Sequence, residues 1–153
     1  EVSRVRCSRF LTLLWRALCN MVRVARNANT KRAKETVMAH LSCFKAYDVR
    51  GRIDENIDAD LARAFGFAVV DVLKADLVVV GFDARETSPE FASAVAEGLT
   101  ANGAHVLNLG LCGTEEVYFA TVHNAASAGV MVTASHNPID YNGFKIVRAG
   151  SLP

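Results

Sequence analysis

The stretch "LVVVGFDARETSPEFASAVAEGLTANGAHVLNLG", residues 77–110, reads as a strand, a loop, a helix and a second strand in immediate succession. LVVVGF (77–82) is an unbroken β-branched run, the pattern of a strand buried on both faces. TSPEF then opens a helix, with Ser88 as the cap, Pro89 at the first helical position and Glu90 favoured by the helix dipole. Val95 and Leu99 carry its apolar stripe, and it stops at "ANG", where Gly103 can take the left-handed conformation. HVLNLG (105–110) is the next strand. A strand, a helix of about a dozen residues and another strand imply a right-handed crossover and parallel pairing.

The same alternation extends in both directions. Upstream, "CFKAYDVRGRI" (43–53) reads as a strand running into a polar turn. Asp58 then caps a helix with Leu61, Phe65, Val69 and Val72 on one face. Downstream, Thr114, Glu115 and Glu116 open a helix with Val117, Ala120 and Ala125 facing inward, followed by strands GVMVT (129–133) and GFKIVR (143–148). The expected fold over residues 38–153 is α/β, a three-layer α/β/α domain on a mainly parallel mixed sheet. Ligands of such sheets bind beyond the carboxyl ends of the strands. The loops DARETS, LCGTEE and ASHNP are therefore expected along one edge.

Composition sets limits on function. The 153 residues are 51% apolar and 22% charged, as in an ordinary globular protein. The net charge of +1 averages two unlike parts. Residues 1–40 hold nine Lys or Arg against Glu1 and Glu35, while the remainder holds eight basic and fourteen acidic residues. The arginines of the basic part are scattered and form no nucleic-acid motif. Its apolar stretch FLTLLWRALC is too short to span a membrane, and Arg16 interrupts it. The chain opens with Glu1, and a coherent pattern begins only after Met38. Residues 1–37 are accordingly expected to be a non-native or loosely helical, disordered leader, with an Arg-rich, acid-poor transit peptide as the alternative. Cys7, Cys19, Cys43 and Cys112 form no C-x-x-C pair, which fits reduced thiols in a cytoplasmic protein. His40 and Cys43 have a zinc-compatible spacing, but no second pair completes a site.

The chemistry-bearing loop is "VMVTASHNPIDYNGFK" (130–145). Small neighbours such as Ala134 leave the Ser135 hydroxyl approachable. Asn137-Pro138 forces a bend, and "DYNG" supplies a second turn whose Gly143 tolerates positive φ. On residue types alone, Ser135 and Asn137 could simply satisfy backbone groups in a strand-to-strand turn. A serine hydrolase is disfavoured: G-x-S-x-G is absent, and adjacent Ser135 and His136 are expected to diverge. No Walker loop or G-x-G-x-x-G occurs. Arg50, Arg52, Arg85 and Lys145 nevertheless fall in loops or at strand ends, where they could bind phosphate.

Four segments, FKAYDVRG, VVVGFDARETSPEF, GLCGTEEVYFAT and GVMVTASHNPIDYNGFKIVR, together resemble the first domain of the α-D-phosphohexomutases. Within that family they are most similar to bacterial phosphomannomutase and phosphomannomutase/phosphoglucomutase. The resemblance covers residues 42–153. It implies an isomerase in which Ser135, as phosphoserine, exchanges its phosphoryl group with a hexose 1- or 6-phosphate through a bisphosphorylated sugar. It further implies His136 and Lys145 as acid/base groups, Arg50 supporting the phosphoserine, and Tyr47, Arg50, Asn137 and Lys145 at the sugar phosphate. Mg²⁺ would touch the Ser135 phosphate, and a hexose 1,6-bisphosphate would act as activator. The expected partners are hexose phosphates and domains 2–4 of a longer chain, without nucleic acid or membrane. On that basis the present chain alone is expected to be inactive. Asp83 and Arg85 match a family motif and read as a loop brace, with Thr133 serving loop geometry. The alternatives are phosphoglucomutase or phosphoglucosamine mutase as the main activity, or a non-catalytic α/β binding module.

Overall fold

In the computed structural model, the residues described are Thr12, Leu13, Arg16, residues 42–45 and residues 48–153. The expectations for His40, Tyr47 and all of the leader except Thr12, Leu13 and Arg16 lie outside them. Five strands, β1 (Val49–Arg52), β2 (Leu77–Phe82), β3 (His105–Leu111), β4 (Ala128–Val132) and β5 (Tyr141–Arg148), form one sheet in the order β1-β5-β4-β2-β3. Pairing is parallel from β3 through β2 to β4, as the crossovers require. β5 returns antiparallel on β4, and β1 adds antiparallel to β5. The sheet is therefore mixed, with its parallel part at the centre. β1 is shorter than the 43–53 run suggested, and among the described residues the isolated bridges Phe44–Val49 and Ile53–Ile57 flank it.

Two helices, α1 (Ala59–Leu73) and α2 (Ser88–Ala101), cover one face. The α1 start is as expected: the Asp58 carboxylate accepts from the Leu61 N–H at 2.7 Å. The two helices pack directly on each other because glycines meet backbone there. A Cβ at Gly66 would strike the Val95 carbonyl, and one at Gly98 the Arg63 carbonyl. Beneath them Val78, Val80, Val130, Val132 and Phe144 form the main core, with Phe65 stacked on Phe144 at a centroid distance of 4.7 Å. Each such side chain contributes about 1.5–3 kcal/mol on burial.

Another helix, α3 (Thr114–His123), covers part of the other face. The Glu116 carboxylate accepts from the Gly113 N–H at 2.5 Å and fixes its first turn. Val117 and Ala120 pack on Val79 and Met131 in a smaller cluster. Ala125, expected to face inward, is instead exposed with φ +49 just past the helix end. Helix α3 sits on β2 and β4. Among the described residues, no helix is long and apolar enough to cross a membrane.

Candidate functional site

The loops after β2 and β4 leave the same rim of the sheet, because those strands run parallel. What joins them is a chain of hydrogen bonds around Asp83. Its Oδ1 accepts from the Arg85 N–H at 3.1 Å and from the Ser88 hydroxyl at 2.6 Å. Its Oδ2 accepts from the Thr133 hydroxyl at 2.6 Å, and Thr133 Oγ1 in turn accepts from the Ser135 N–H at 2.8 Å. Ser88 was expected to cap α2. It lies instead inside the first turn, fully buried, with its hydroxyl turned sideways to Asp83. Asn142, also buried, donates to Thr87 and Ser88 and closes the network from β5.

The Arg85 guanidinium grips the second loop. It donates to the carbonyls of Pro138 and Tyr141 through one terminal nitrogen (2.7 and 3.0 Å) and to those of Ser135 and Asn137 through the other (2.8 and 2.6 Å). Asn137 adds an internal tie, its amide donating to the Ala134 carbonyl at 2.7 Å, so its side chain shapes the loop. Within this frame Ser135 itself adopts φ +56. For a residue with a Cβ that conformation costs about 1–2 kcal/mol, and the surrounding bonds hold it. Gly143 had been expected to supply the positive φ. It lies in extended β5 opposite Arg50, where a Cβ would strike the Val49 carbonyl. The demand for glycine there is close approach, not turn geometry.

Ser135 is exposed, and its Oγ lies 3.4 Å from Nδ1 of His136. The two side chains thus approach rather than diverge, although 3.4 Å is long for a hydroxyl hydrogen bond. No described residue orients the far side of the ring, so the pair lacks the third group of a hydrolase triad. Ser135, Asn137, Asp83, Ala84, Arg85 and Ile139 line a shallow depression of about 400 Å³.

The basic residues sort into two groups. Arg52 is committed to Asp140 (2.8 Å) and Glu55 (3.2 Å), and Arg85 to the loop carbonyls. Arg50 and Lys145 are different. Arg50 pairs with Gly143, two residues before Lys145 on β5, so both side chains project from the sheet face opposite Phe144. That is the α3 face, and α3 covers β4 there rather than β5 or β1. Lys145 makes no hydrogen bond or ion pair to a described residue. Arg50 contacts Asp48 at 2.5 Å, yet its Nε is buried without any hydrogen-bond partner. A buried guanidinium N–H left unsatisfied is a donor awaiting an acceptor. Burial raises the pKa of the Tyr118 phenol on the same side, and the Asp48 charge adds to the effect.

Among the described residues, no group of three or more His, Cys, Asp or Glu side chains is placed to hold a metal. Both Asp83 oxygens are already engaged. Ser135, His136, Asn137, Arg50 and Lys145 thus gather at one end of the β4–β5–β1 segment. Sequence reasoning missed Thr87, Ser88 and Asn142 as loop supports; the signal it could have used is three polar side chains in or beside apolar runs.

Residues 42–153 match the phosphoglucomutase/phosphomannomutase α/β/α domain I family model. Over 113 residues the chain is 53% identical to a protein of Xanthomonas campestris pv. campestris named for phosphohexose mutases, covering 74% of this chain and 25% of that protein. It is 51% identical over 116 residues to a phosphomannomutase of Salmonella typhimurium, covering 76% of this chain and 25% of the relative. A crystal structure of a phosphoglucomutase/phosphomannomutase family protein from Burkholderia thailandensis superposes with a TM-score of 0.66 at 43% identity, over 71% of this chain and 26% of that one. The chain therefore spans about a quarter of the length of these relatives.

Proposed function

Because this chain belongs to the phosphoglucomutase/phosphomannomutase family through its α/β/α domain I, we propose that it is the serine-bearing domain of a hexose-phosphate mutase. In this reading Ser135 carries the phosphoryl group that converts a hexose 1-phosphate into a 6-phosphate or the reverse. The observation that carries the reading is the exposed Ser135 hydroxyl on a braced loop that leaves the β4–β5–β1 segment at the end where Arg50, with its unpartnered Nε, and Lys145 project from one face.

The steps follow from that arrangement. A free sugar hydroxyl attacks phosphorus, losing its proton to a nearby base, while the bond from phosphorus to Ser135 Oγ breaks. The bisphosphorylated sugar then turns in the cleft, Oγ attacks its other phosphate, and the released sugar hydroxyl regains a proton. His136, in contact with Oγ, and Lys145, on the adjoining face, are the groups of this chain suited to hold that proton. Arg50 Nε is suited to a phosphate oxygen. Transfer of this kind is governed by positioning and charge, and a loop ordered before the ligand arrives lowers the entropic cost.

Mg²⁺ fits in part. The Ser135 phosphate would contribute one oxygen, and the remaining ligands would come from outside the described residues. A bound divalent cation would withdraw negative charge from the phosphate. Since the chain spans a quarter of its relatives' length, residues 38–153 alone are expected to show no measurable isomerisation of glucose or mannose phosphates. The reading is tested by incubating a full-length protein carrying this domain with a hexose 1,6-bisphosphate. Mass spectrometry should find one phosphate at Ser135, and its persistent absence would overturn the proposal.

A further inference from the structure

Asp83, through Thr133, and Arg85 hold the Ser135 backbone from both sides: the Thr133 hydroxyl that accepts the Ser135 N–H donates to Asp83, and the Ser135 carbonyl accepts from Arg85. We infer that Asp83, acting through Thr133, and Arg85 are positioning residues. They hold Ser135 in its left-handed conformation and keep its hydroxyl presented for phosphoryl transfer. The inference rests on the reading of Ser135 as the phosphoryl carrier, and the geometry behind it has two separate parts.

The first is a relay of three groups. Asp83 Oδ2 accepts from Thr133 Oγ1 (2.6 Å), which orients the hydroxyl so that its lone pair receives the Ser135 N–H (2.8 Å). Thr133 can do both only through an oxygen, since the same atom donates and accepts. The second is the guanidinium fork. Drawing the Ser135, Asn137, Pro138 and Tyr141 carbonyls onto one cation turns them inward together. All the peptides are trans, so the N–H following an inward carbonyl points the opposite way. The His136 and Ile139 N–H groups are thereby aimed away from Arg85, and the former belongs to the residue next to the reacting oxygen. The fork has a second consequence. With both terminal nitrogens committed to four loop carbonyls, the Arg85 fork is not open to capture a phosphate on Ser135. The charged group stays outside, where Arg50 and Lys145 can meet it.

Amide hydrogen exchange, followed by NMR on the 153-residue chain, separates positioning from packing. Thr133→Val matches threonine in shape and lacks the hydroxyl; Thr133→Ser keeps the hydroxyl and loses a methyl group. Thr133→Val should speed exchange of the Ser135 amide at least tenfold, and Thr133→Ser should restore protection. The amides of Val79 and Val130 should stay at their original rates in both and so report an intact sheet. Arg85→Lys, which keeps the charge without the fork, should speed exchange at both Ser135 and Asn137. Should that variant fail to fold, the threonine pair decides alone. The inference is overturned if Thr133→Val leaves Ser135 protected, or if Thr133→Ser is as labile as Thr133→Val. In the full-length protein, phosphoryl uptake from a hexose 1,6-bisphosphate should slow at least tenfold in Thr133→Val with KM unchanged, and recover in Thr133→Ser. Equal uptake rates in wild type and Thr133→Val would also overturn the inference. If wild-type Ser135 never takes up phosphate while the exchange pattern holds, the mutase reading falls and the loop-positioning role stands.

Discussion

On one face of the sheet, α1 and α2 lock together over Phe144, Val80 and Val130; on the other, among the described residues, α3 packs on β2 and β4, and Arg50 and Lys145 project from β1 and β5 beside it. The first face is closed by backbone contact at Gly66 and Gly98, which lets two helices seat as one layer. The second even leaves apolar groups in the open, with Phe119 69% and Leu111 67% exposed. Stability is concentrated where the layer is complete, and the proposed chemistry where it is not. A cation with an unsatisfied donor, such as Arg50, would be costly under a complete layer, and at the open edge a ligand can complete its bonding.

Mutations on the two faces should therefore fail in different ways, and the largest effect should come from the open side. Ser135→Ala in a full-length protein should lower kcat at least about a thousandfold, as loss of a covalent nucleophile does. The denaturation midpoint should stay the same, because the hydroxyl is exposed and supports no buried neighbour. A comparable loss of stability would dissolve the distinction between the faces. Phe144→Ala on the closed side should do the reverse, costing about 3–5 kcal/mol in urea unfolding through loss of its contacts with Phe65 and Phe91.

The pH dependence sharpens the contrast. Cys43 is buried in the closed-face core, and burial pushes its pKa from 9.0 up to about 12. Between those values the unfolded chain has lost the thiol proton and the folded one keeps it. Stability should therefore decline as pH rises above 9.0 and level off near 12. Cys43→Ala should flatten that decline in a pH series of thermal melts. Cys112, half-buried beside α3, also has a raised thiol pKa but should be alkylated faster than Cys43, as site-resolved mass spectrometry would report. The smallest effect is expected at Arg52→Ala. That residue's pairs with Asp140 and Glu55 are exposed, and its replacement should leave the melting temperature within error.

Much of this was legible from residue types in order. The run at 77–82 and the four-residue spacing of Leu61, Phe65 and Val69 specify their elements through local sterics and periodic burial, and the structure has them where expected. The reading of Asp83 and Arg85 as a brace also agrees with the hydrogen bonds. The failures share one cause. Ser88 looks like a helix cap when only its neighbours are considered, and becomes a lateral donor because Asp83 folds back over it. Gly143 looks like a turn glycine until β1 is laid against it.

Order along the chain, then, determined the strand and helix segments, the family and the loop that holds Ser135, since those depend on short-range periodicity and motif. The left-handed backbone of Ser135, its contact with His136 and the common face of Arg50 and Lys145 were decided only by the tertiary structure. Each depends on bonds between segments far apart in the chain, such as Arg85 to the loop after β4 or β1 to β5. The register of such pairings is set by the packed sheet as a whole, so no local window contains it.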